Sequence, residues 1–392
     1  MEKNIILKSV DNYEDIRLSD VKRLSNGTQF VSVGLLDEKI SVSFKFSFQE
    51  LYYKRLKELD FTEDIEIELI NIIFKNNIEF NSKKLFKPSL LFQKCSFLHS
   101  FHFNDKIYEN KICFRMCDFN GLSAKDSTFE KQFEVYYCEN FKPTLFNRAT
   151  FNQNVVFNKS KFHANVLFTD TMFFKSLIIK RTTFHNCGLD LSQSDIYRNL
   201  IFFQTELNNF KTKYIKSSSP EFDNAITEKG VIPYQNKRET FRIIKQQLIE
   251  QNNLIEAEKY AKLEKQTFLE ESTAKKTSNY FVLLFNRLSN NFKTDFRNGI
   301  SFTFISLLVF TTLTYLSSFT FWESICFNCD FDLEIFNTTV KQFFINFNPT
   351  HSFDYIDGLK PIYGLPYLFD FIGRIFIGYG LYQTIQAFRK FK

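Results

Sequence analysis

The chain has 392 residues, with 50 Lys and Arg against 44 Asp and Glu, and its most unusual component is Phe at 52 residues. The net charge of +6 is too small for a dedicated nucleic-acid binder, and 44% apolar residues exclude a disordered chain. The chain has 5 His residues and lacks nucleophile motifs, Gly-rich phosphate loops and paired catalytic carboxylates. The sequence therefore predicts a protein that is not an enzyme and that uses no cofactor, metal or catalytic residue.

Residues 1–84 predict an N-terminal α/β region. The first residues contain no long apolar segment, so we expect no cleaved signal peptide. Residues 40–48 alternate like a strand, and residues 49–59 look helical. Such a region would cap the end of a repeat array that follows it, because an open end would expose apolar side chains and unpaired strand edges.

Residues 85–210 carry an aromatic repeat. Two apolar series each step by 11 residues, and they interleave at alternating steps of 5 and 6, with slips of one residue near Phe129 and Phe141. The residues between them are mostly polar, which disfavours a helix because its i+3 and i+4 positions would also be apolar. The period indicates a solenoid of short β-strands. The first series is Phe86, Phe97, Tyr108, Phe119, Phe129, Phe141, Phe151, Phe162, Phe173 and Phe184, and the second is Phe92, Phe103, Phe114, Val135, Phe146, Phe157, Phe168 and Ile179.

A small residue stands two positions before many of these anchors, as in Cys95-Ser96-Phe97 and Ser160-Lys161-Phe162. In this the segment resembles the pentapeptide-repeat family, whose five-residue unit has a central Leu or Phe and a small residue two places earlier. The resemblance implies a right-handed parallel β-helix with four sides per coil. Because every second unit has one additional residue, we expect coils of 22 residues. The rings expected in the solenoid core include Phe86, Phe97, Phe119, Phe151, Phe157, Phe162, Phe168, Phe173 and Phe184.

Helices are predicted after the repeat. Residues 211–237 contain Ser217-Ser218-Ser219-Pro220 and are typical of a linker. Residues 238–297 predict cytoplasmic and membrane-surface helices, two of which turn near Gln251-Asn252-Asn253. A third, over residues 280–296, has an aromatic stripe that suits the inner surface of a membrane.

Two C-terminal segments predict transmembrane helices. Residues 298–322 contain no charged residue, and as a helix they would extend ~37 Å at ~1.5 Å per residue, enough to cross ~30 Å of hydrocarbon. Residues 366–388 are long enough but contain Asp370 and Arg374, which are four apart and could pair on one helix face. We expect this polar stripe to face protein or water, and an amphipathic helix on the membrane surface is the alternative.

The flanking charges predict the orientation. Arg287, Lys293 and Arg297 precede the first span, and the tail 389–392 is basic. Most of the charged residues in the loop 323–365 are acidic. The positive-inside rule then places both termini in the cytoplasm and the loop outside it. We therefore expect a protein of the bacterial inner membrane.

Four further residues stand out near the spans. Cys326 and Cys329 form a CxxC on the predicted outer side, where a disulfide and two uninvolved thiols both fit the pattern. Zinc would need two more ligands, and only His351 lies in that loop. Gly373 and Gly380, seven residues apart, predict close packing between helices.

The order of repeat, helical pair and two spans, with the C-terminal run 382–389, resembles bacterial pentapeptide-repeat proteins fused to a two-helix, ion-channel-like domain. The resemblance implies a channel or pore-forming effector with a cytoplasmic solenoid that binds a protein or ligand. Two spans cannot enclose a pore, so the chain would form a homo-oligomer. Asp370 and Arg374 would face its centre as pore or gate residues, because charge inside a membrane is costly and usually functional.

Two other functions stay open. In a membrane-tethered scaffold the hairpin would only anchor a solenoid that binds a protein partner. DNA mimicry, which some soluble members of the family use, needs an acidic surface, but residues 86–210 hold 15 Lys and Arg against 11 Asp and Glu. We therefore rank DNA mimicry last, and expect the lipid bilayer, but not nucleic acid, among the partners.

Overall fold

A computed structural model of the chain describes residues 84–318, 333–357 and 363–389, together with the backbone of seven strands between residues 3 and 79. The chain divides into two compact units, Met1–Glu271 and Ser272–Lys392. The first unit contains the strands, and the second is helical over its described residues.

The first unit is a parallel β-solenoid of about five turns, extended by one coil of strands at its N-terminal end. Four faces, named A to D, recur in each coil, and every strand pairs in parallel with the strands one coil before and after it. This architecture is consistent with a pentapeptide-repeat fold.

The strands of each face are as follows. Face A comprises β5 (Ile65–Ile70), β9 (Ser89–Gln93), β13 (Ile112–Arg115), β17 (Phe133–Tyr136), β21 (Val155–Asn158), β25 (Leu177–Lys180) and β29 (Leu200–Phe203). Face B comprises β6 (Ile73–Phe74), β10 (Ser96–Phe97), β14 (Asp118–Phe119), β18 (Glu139–Asn140), β22 (Lys161–Phe162) and β26 (Thr183–Phe184). Face C comprises β7 (Ile78–Glu79), β11 (Phe101–His102), β15 (Leu122–Ser123), β19 (Thr144–Leu145), β23 (Val166–Leu167) and β27 (Leu189–Asp190). Face D comprises β8 (Leu85–Phe86), β12 (Ile107–Tyr108), β16 (Thr128–Phe129), β20 (Thr150–Phe151), β24 (Met172–Phe173) and β28 (Asp195–Ile196).

The N-terminal strands continue face A. β1 (Lys3–Lys8) pairs in parallel with β5 and with β4 (Lys39–Ser43), while β2 (Val21–Arg23) and β3 (Gln29–Ser32) add antiparallel strands at the edge. The solenoid therefore begins at β5, one coil before the boundary at residue 85 that the repeat predicts. The predicted strand over 40–48 overlaps β4, and the predicted helix over 49–59 lies outside the described residues.

Stacked aromatic rings fill the solenoid. All nine Phe residues expected in the core are at most 6% exposed. Rings from successive coils lie parallel, with centroids 4.9 Å apart for Phe129 and Phe151 and 5.3 Å apart for Phe151 and Phe173. Burial of large aromatic side chains is the main favourable contribution to such a core.

The small position two residues before an anchor has a polar role as well as a steric one. Ser127 Oγ donates to the carbonyl of Phe103 over 2.6 Å, and Thr171 Oγ1 donates to that of Phe146 over 2.7 Å. Each bond reaches the preceding coil, so these side chains satisfy carbonyl oxygens that are buried from water. Cys117 and Cys187 occupy the same position and approach carbonyls in the same way.

The repeat slips by one residue in two places, and a left-handed residue accommodates each. Between Phe119 and Ala124 the step is shortened to 5 residues, and Gly121 adopts a φ of +107°. Between Phe184 and Leu191 one residue is added, and Asn186 adopts a φ of 55°. Gly and Asn tolerate this conformation best, so the local sequence matches each irregular coil.

Helices cover the C-terminal end of the solenoid. α2 (Tyr234–Glu250) and α3 (Leu254–Lys275) meet at the predicted turn near Asn252. Gln251 Nε2 donates to the carbonyl of Leu200 over 2.7 Å, and the Tyr260 ring contacts that of Phe202. The helical pair thus gives partners to the last strand, which would otherwise be an open edge.

The segment 211–237, predicted as a linker, is part of the folded first unit. It contains α1 (Pro220–Thr227), and Ile232 is buried at 1% exposure. Asn165 Nδ2 donates to the carbonyl of Gly230 over 2.8 Å, on the outer side of face C. Apolar residues among the polar ones of this predicted linker therefore pack on the solenoid.

The second unit contains five described helices. They are α4 (Asn279–Asn290), α5 (Phe296–Leu316), α6 (Leu333–Asn346), α7 (Asp354–Asp357) and α8 (Leu365–Phe388). The helix predicted over 280–296 ends at Asn290, because the next three residues have positive φ angles of 49°, 62° and 74° and reverse the chain.

Candidate functional site

α5 and α8 pack closely through small residues. A Cβ at Gly373 would lie 2.8 Å from the Cβ of Phe310, and a Cβ at Gly380 would lie 2.4 Å from Thr303 Oγ1. Both contacts are shorter than side chains allow, so glycine lets the two helices approach at both positions. Gly378, by contrast, has only Pro349 within 4 Å of such an atom.

The polarity of these helices is inverted relative to a soluble protein. Several polar residues of the second unit are buried, and many large apolar residues of the same helices are exposed. The buried set includes Ser289, Asn290, Thr303, Ser306, Thr311, Thr314, Asp370 and Gln383, and the exposed set includes Phe281, Val282, Leu288, Ile305, Leu308, Phe371, Ile375 and Ile385. Apolar side chains outside and polar ones inside are expected where lipid is the solvent.

One helix among the described residues, α5, is long and apolar enough to cross a membrane. Only 33% of its most apolar window is buried within the protein. α8 has the expected length but does not meet the same test of composition, because Asp370, Arg374 and two Gln residues lower its hydropathy. Composition thus supports one of the two predicted transmembrane helices, α5.

A charged cluster lies at the start of α8. Arg374 Nε donates to Asp370 Oδ2 over 2.7 Å, as the spacing of four residues predicts, and Tyr355 Oη donates to Asp370 Oδ1 over 2.6 Å. His351 Nε2 lies 3.0 Å from the same oxygen, and the Arg374 guanidinium lies 3.9 Å from the centre of the Phe353 ring. Burial, and then the hydrogen bond to Asp370, raise the pKa of Tyr355, so its hydroxyl keeps the proton that it donates.

The cluster continues to the other helices of the unit. Asn346, at the end of α6, lines a small cavity together with Asp370 and His351, and its Nδ2 donates to Thr311 Oγ1 on α5 over 3.2 Å. The volume of this cavity is about 10 Å³. Arg374 lines it, and Arg374 Nη2 is buried with no hydrogen-bond partner among the described residues. Water is the simplest acceptor for that N–H group.

The segment after α6 reaches far along the hairpin. The rings of Phe347 and Phe304 are 6.1 Å apart, and Phe304 lies 12 residues before the end of α5, or ~18 Å at ~1.5 Å per residue. Pro349 is the neighbour of Gly378, 13 residues into α8, or ~20 Å along it. Residues 347–353 therefore form irregular backbone beside the middle of both helices. The chain then turns back, so that His351 and Tyr355 lie near the start of α8.

The structure alters the interpretation of Asp370. Its carboxylate is 5% exposed and is enclosed by residues of the same chain. Asp370 therefore faces the re-entrant segment, defined here as residues 347–357, rather than the outside of the hairpin. Cys326 and Cys329, for which a disulfide and two uninvolved thiols both fit the sequence, lie outside the described residues.

The solenoid surface shows no second site of this kind. His163 and His185 stack on successive coils with ring centroids 4.8 Å apart, as the coil length predicts, and Phe141 stacks on His163. Within the described ranges, no group of three or more His, Cys, Asp or Glu residues is placed to hold a metal ion. The stack is best interpreted as a surface ladder.

Comparison of the chain with protein-family models, with curated proteins and with solved structures found no match. The proposals below therefore depend on the geometry of this chain and on its resemblances in sequence.

Sequence reasoning missed His351 and Tyr355 as partners of Asp370. A usable signal was present, since residues 333–346 combine aromatic and aliphatic residues with polar ones in a stretch of 14 residues, too short to span a membrane. Such a stretch between two predicted spans indicates a segment that enters the membrane and returns. The partners follow it directly in sequence, but which of them reach Asp370 depends on the backbone path.

Proposed function

We propose that this chain is an oligomeric, ion-channel-like protein of the bacterial inner membrane, with a cytoplasmic pentapeptide-repeat solenoid as its interaction module. In this account the protein is not an enzyme, and both of its termini lie in the cytoplasm. The function belongs to the second unit, where polar groups and irregular backbone occur among apolar helices.

Both α5 and α8 span the membrane in this proposal. The inverted polarity of the hairpin supports α8 as the second span, although its composition alone does not. Its charges are Asp370 and Arg374, which bond each other over 2.7 Å. A charge at the bilayer centre costs ~2.5–3.5 kcal/mol on insertion scales, and pairing within the chain lowers this cost.

The observation that carries the proposal is the position of residues 347–353. This irregular backbone lies beside the middle of α5 and α8, at a level that would be within the hydrocarbon layer. Non-helical backbone at that depth is tolerated only where protein buries it or where it lines a water-filled cavity. A passive anchor needs no such segment, whereas a channel uses one to line its conduction path.

The direction of α6 favours cations over anions. α6 has 14 residues, and its C-terminal end at Asn346 lies next to the irregular segment. The C-terminal end of a helix carries a partial charge of about −0.5, which stabilises a cation nearby. The rest of the path would be completed by other copies of the chain, because one hairpin cannot enclose a pore.

Tracer flux through purified protein in liposomes tests this proposal. We expect uptake of a monovalent cation above that of protein-free liposomes and above that of a monovalent anion. The control is the same protein with Phe371→Leu, which alters an exposed apolar residue of α8 and should leave flux unchanged. Inserted protein that gives neither cation nor anion flux would refute the channel.

A membrane-tethered scaffold is the second candidate, and one observation favours it. The Asp370 carboxylate is satisfied within its own chain, so it is not exposed to a conduction path. In that case the solenoid would bind a protein partner, and residues 347–357 would only brace the hairpin. The flux experiment separates the two candidates, because a scaffold inserts without conducting.

A further inference from the structure

We infer that Asp370 is a positioning residue that holds the re-entrant segment against α8, and that protonation of His351 strengthens this hold. The inference deepens the proposed function, because the segment that it holds is the one proposed to line the conduction path. It assigns a role to His351, Tyr355 and Asn346, which are not ion-contacting residues in this account.

The first argument is the convergence of partners on one carboxylate. Asp370 Oδ1 accepts from Tyr355 Oη over 2.6 Å and lies 3.0 Å from His351 Nε2, while Oδ2 accepts from Arg374 Nε over 2.7 Å. Two of these three partners belong to the re-entrant segment, and the third lies one turn further along α8. Hydrogen bonds to an ionised group are about twice as strong as neutral ones, so this carboxylate is the buried polar attachment of the segment to α8, beside the exposed bond that Tyr367 Oη donates to Asp357.

The second argument is that the attachment continues to α5. Asn346, the residue directly before the segment, donates through Nδ2 to Thr311 Oγ1 on α5 over 3.2 Å, and Gln342 Nε2 donates to Asn346 Oδ1 over 2.8 Å. A buried polar network destabilises the fold when some of its groups lack hydrogen-bond partners, and it makes the structure rigid when all of them have partners. Its members therefore fix where the irregular backbone lies between the two long helices.

The third argument concerns the two nitrogens of the His351 ring. Nδ1 lies 2.7 Å from the carbonyl oxygen of Asn348, and Nε2 lies 3.0 Å from Asp370 Oδ1. Both oxygens are acceptors, so both bonds form only when the ring carries a proton on each nitrogen. Among the described residues, the charged groups near the ring are Asp370 and Arg374, both on α8, and Tyr355 is its other titratable neighbour. Loss of one ring proton removes one of the two bonds and should loosen the segment.

Labelling of a buried cysteine measures this hold without any ion flux. Ile356 is 0% exposed in α7 and takes no part in the network. The probe is Ile356→Cys in the full chain in liposomes, with Cys326 and Cys329 replaced by Ser and a membrane-impermeant maleimide as reagent. The labelling rate of this cysteine is divided by the labelling rate of Tyr363→Cys, a site that is 98% exposed. This ratio, the corrected rate, removes the effect of pH on the reagent.

We expect Asp370→Asn and Tyr355→Phe each to raise the corrected rate by about tenfold or more, because each weakens a hydrogen bond to a charged group. Tyr382→Phe, which removes the same oxygen from an exposed position of α8, should leave it unchanged. Tyr355→Phe alone suffices if the Asp370 variant fails to insert.

The pH profile separates positioning by His351 from general stability. Between about pH 5.5 and pH 8.5, the corrected rate should rise in the parent and stay level in His351→Gln. Unchanged rates in both Asp370→Asn and Tyr355→Phe would overturn the positioning role, and a level profile in the parent would overturn the role of protonation. A parent that never conducts would refute the proposed channel without altering either result.

Discussion

Asn140 occupies a position on face B at which the neighbouring coils carry Phe119 and Phe162. Its side chain is 2% exposed, and its Nδ2 donates to Thr144 Oγ1. A buried amide is tolerated there because a partner lies within the same coil. The 11-residue period alone predicts Phe141 at this inward position, but Phe141 is 52% exposed. A shift of one residue along the strand therefore turns an inward side chain outward.

Truncation of an inward ring should destabilise the solenoid. Phe162 is 4% exposed and stacks on Phe184, so Phe162→Ala should lower the free energy of unfolding by ~3–5 kcal/mol. Phe141→Ala is the matched control, and its effect should be much smaller. Urea-dependent proteolysis of the full chain gives both midpoints, and equal midpoints for the two variants would disprove the inward position of Phe162.

The left-handed residues give a second prediction at this scale. Lys159 has a φ of 53°, in a column of residues with positive φ that recurs once per coil between faces A and B. Lys159→Val should be destabilising, because the branched Cβ of Val crowds the backbone in this conformation more than the unbranched Cβ of Lys. Lys159→Gly loses the same contacts but has no Cβ, so it should unfold at a higher urea concentration than Lys159→Val. The reverse order would show that the lost contacts, and not the backbone, determine the effect.

At the scale of elements, the α5–α8 pair combines two features that rarely occur together in a soluble protein. Close approach through Gly373 and Gly380 brings the backbones together, while apolar side chains remain on the outside. The polar residues between the helices, such as Thr303 and Gln383, find partners within the unit. Packing of small and polar residues is the main source of affinity between helices in lipid.

The glycines provide the test of this packing. Gly373→Ala and Gly380→Ala should both lower the thermal stability of the purified protein in detergent, because a methyl group at either position overlaps atoms of α5. Gly378→Ala should have little effect, since a Cβ there has ordinary space. If all three variants have the same melting temperature as the parent, α5 and α8 do not approach each other this closely.

At the scale of the whole molecule, composition and periodicity predict most of the architecture but not the site. The repeat of 11 residues predicts the ladders of Phe151 and Phe162, because alternation of inward and outward residues is a local property of the strand. The extra N-terminal coil was missed, since residues 65–79 carry Ile and Leu in place of most of the rings. The partners of Asp370 were missed because they depend on how the re-entrant segment folds back, which no local pattern specifies.

The orientation of the membrane unit is tested by cysteine labelling in intact cells. A membrane-impermeant maleimide should reach a cysteine at Asn337, in the predicted outer loop, but not one at Ser218, since the basic flanks retain the other side in the cytoplasm. Both residues are exposed in the structure, so access depends on the membrane alone. Labelling at Ser218 but not at Asn337 would show the opposite orientation.

The central claim is that residues 347–353 line a path for ions, and current across a planar bilayer tests it most directly. The measurement compares protein carrying Asn348→Cys with its parent, both with Cys326 and Cys329 replaced by Ser, before and after a positively charged, membrane-impermeant thiol reagent. Asn348 is exposed at the deep end of the segment, so a charge attached there should obstruct the path and repel cations. The account predicts cation current in both proteins and its loss on modification in Asn348→Cys alone. Inserted protein without current, or a current that the reagent leaves unchanged in Asn348→Cys, would contradict it.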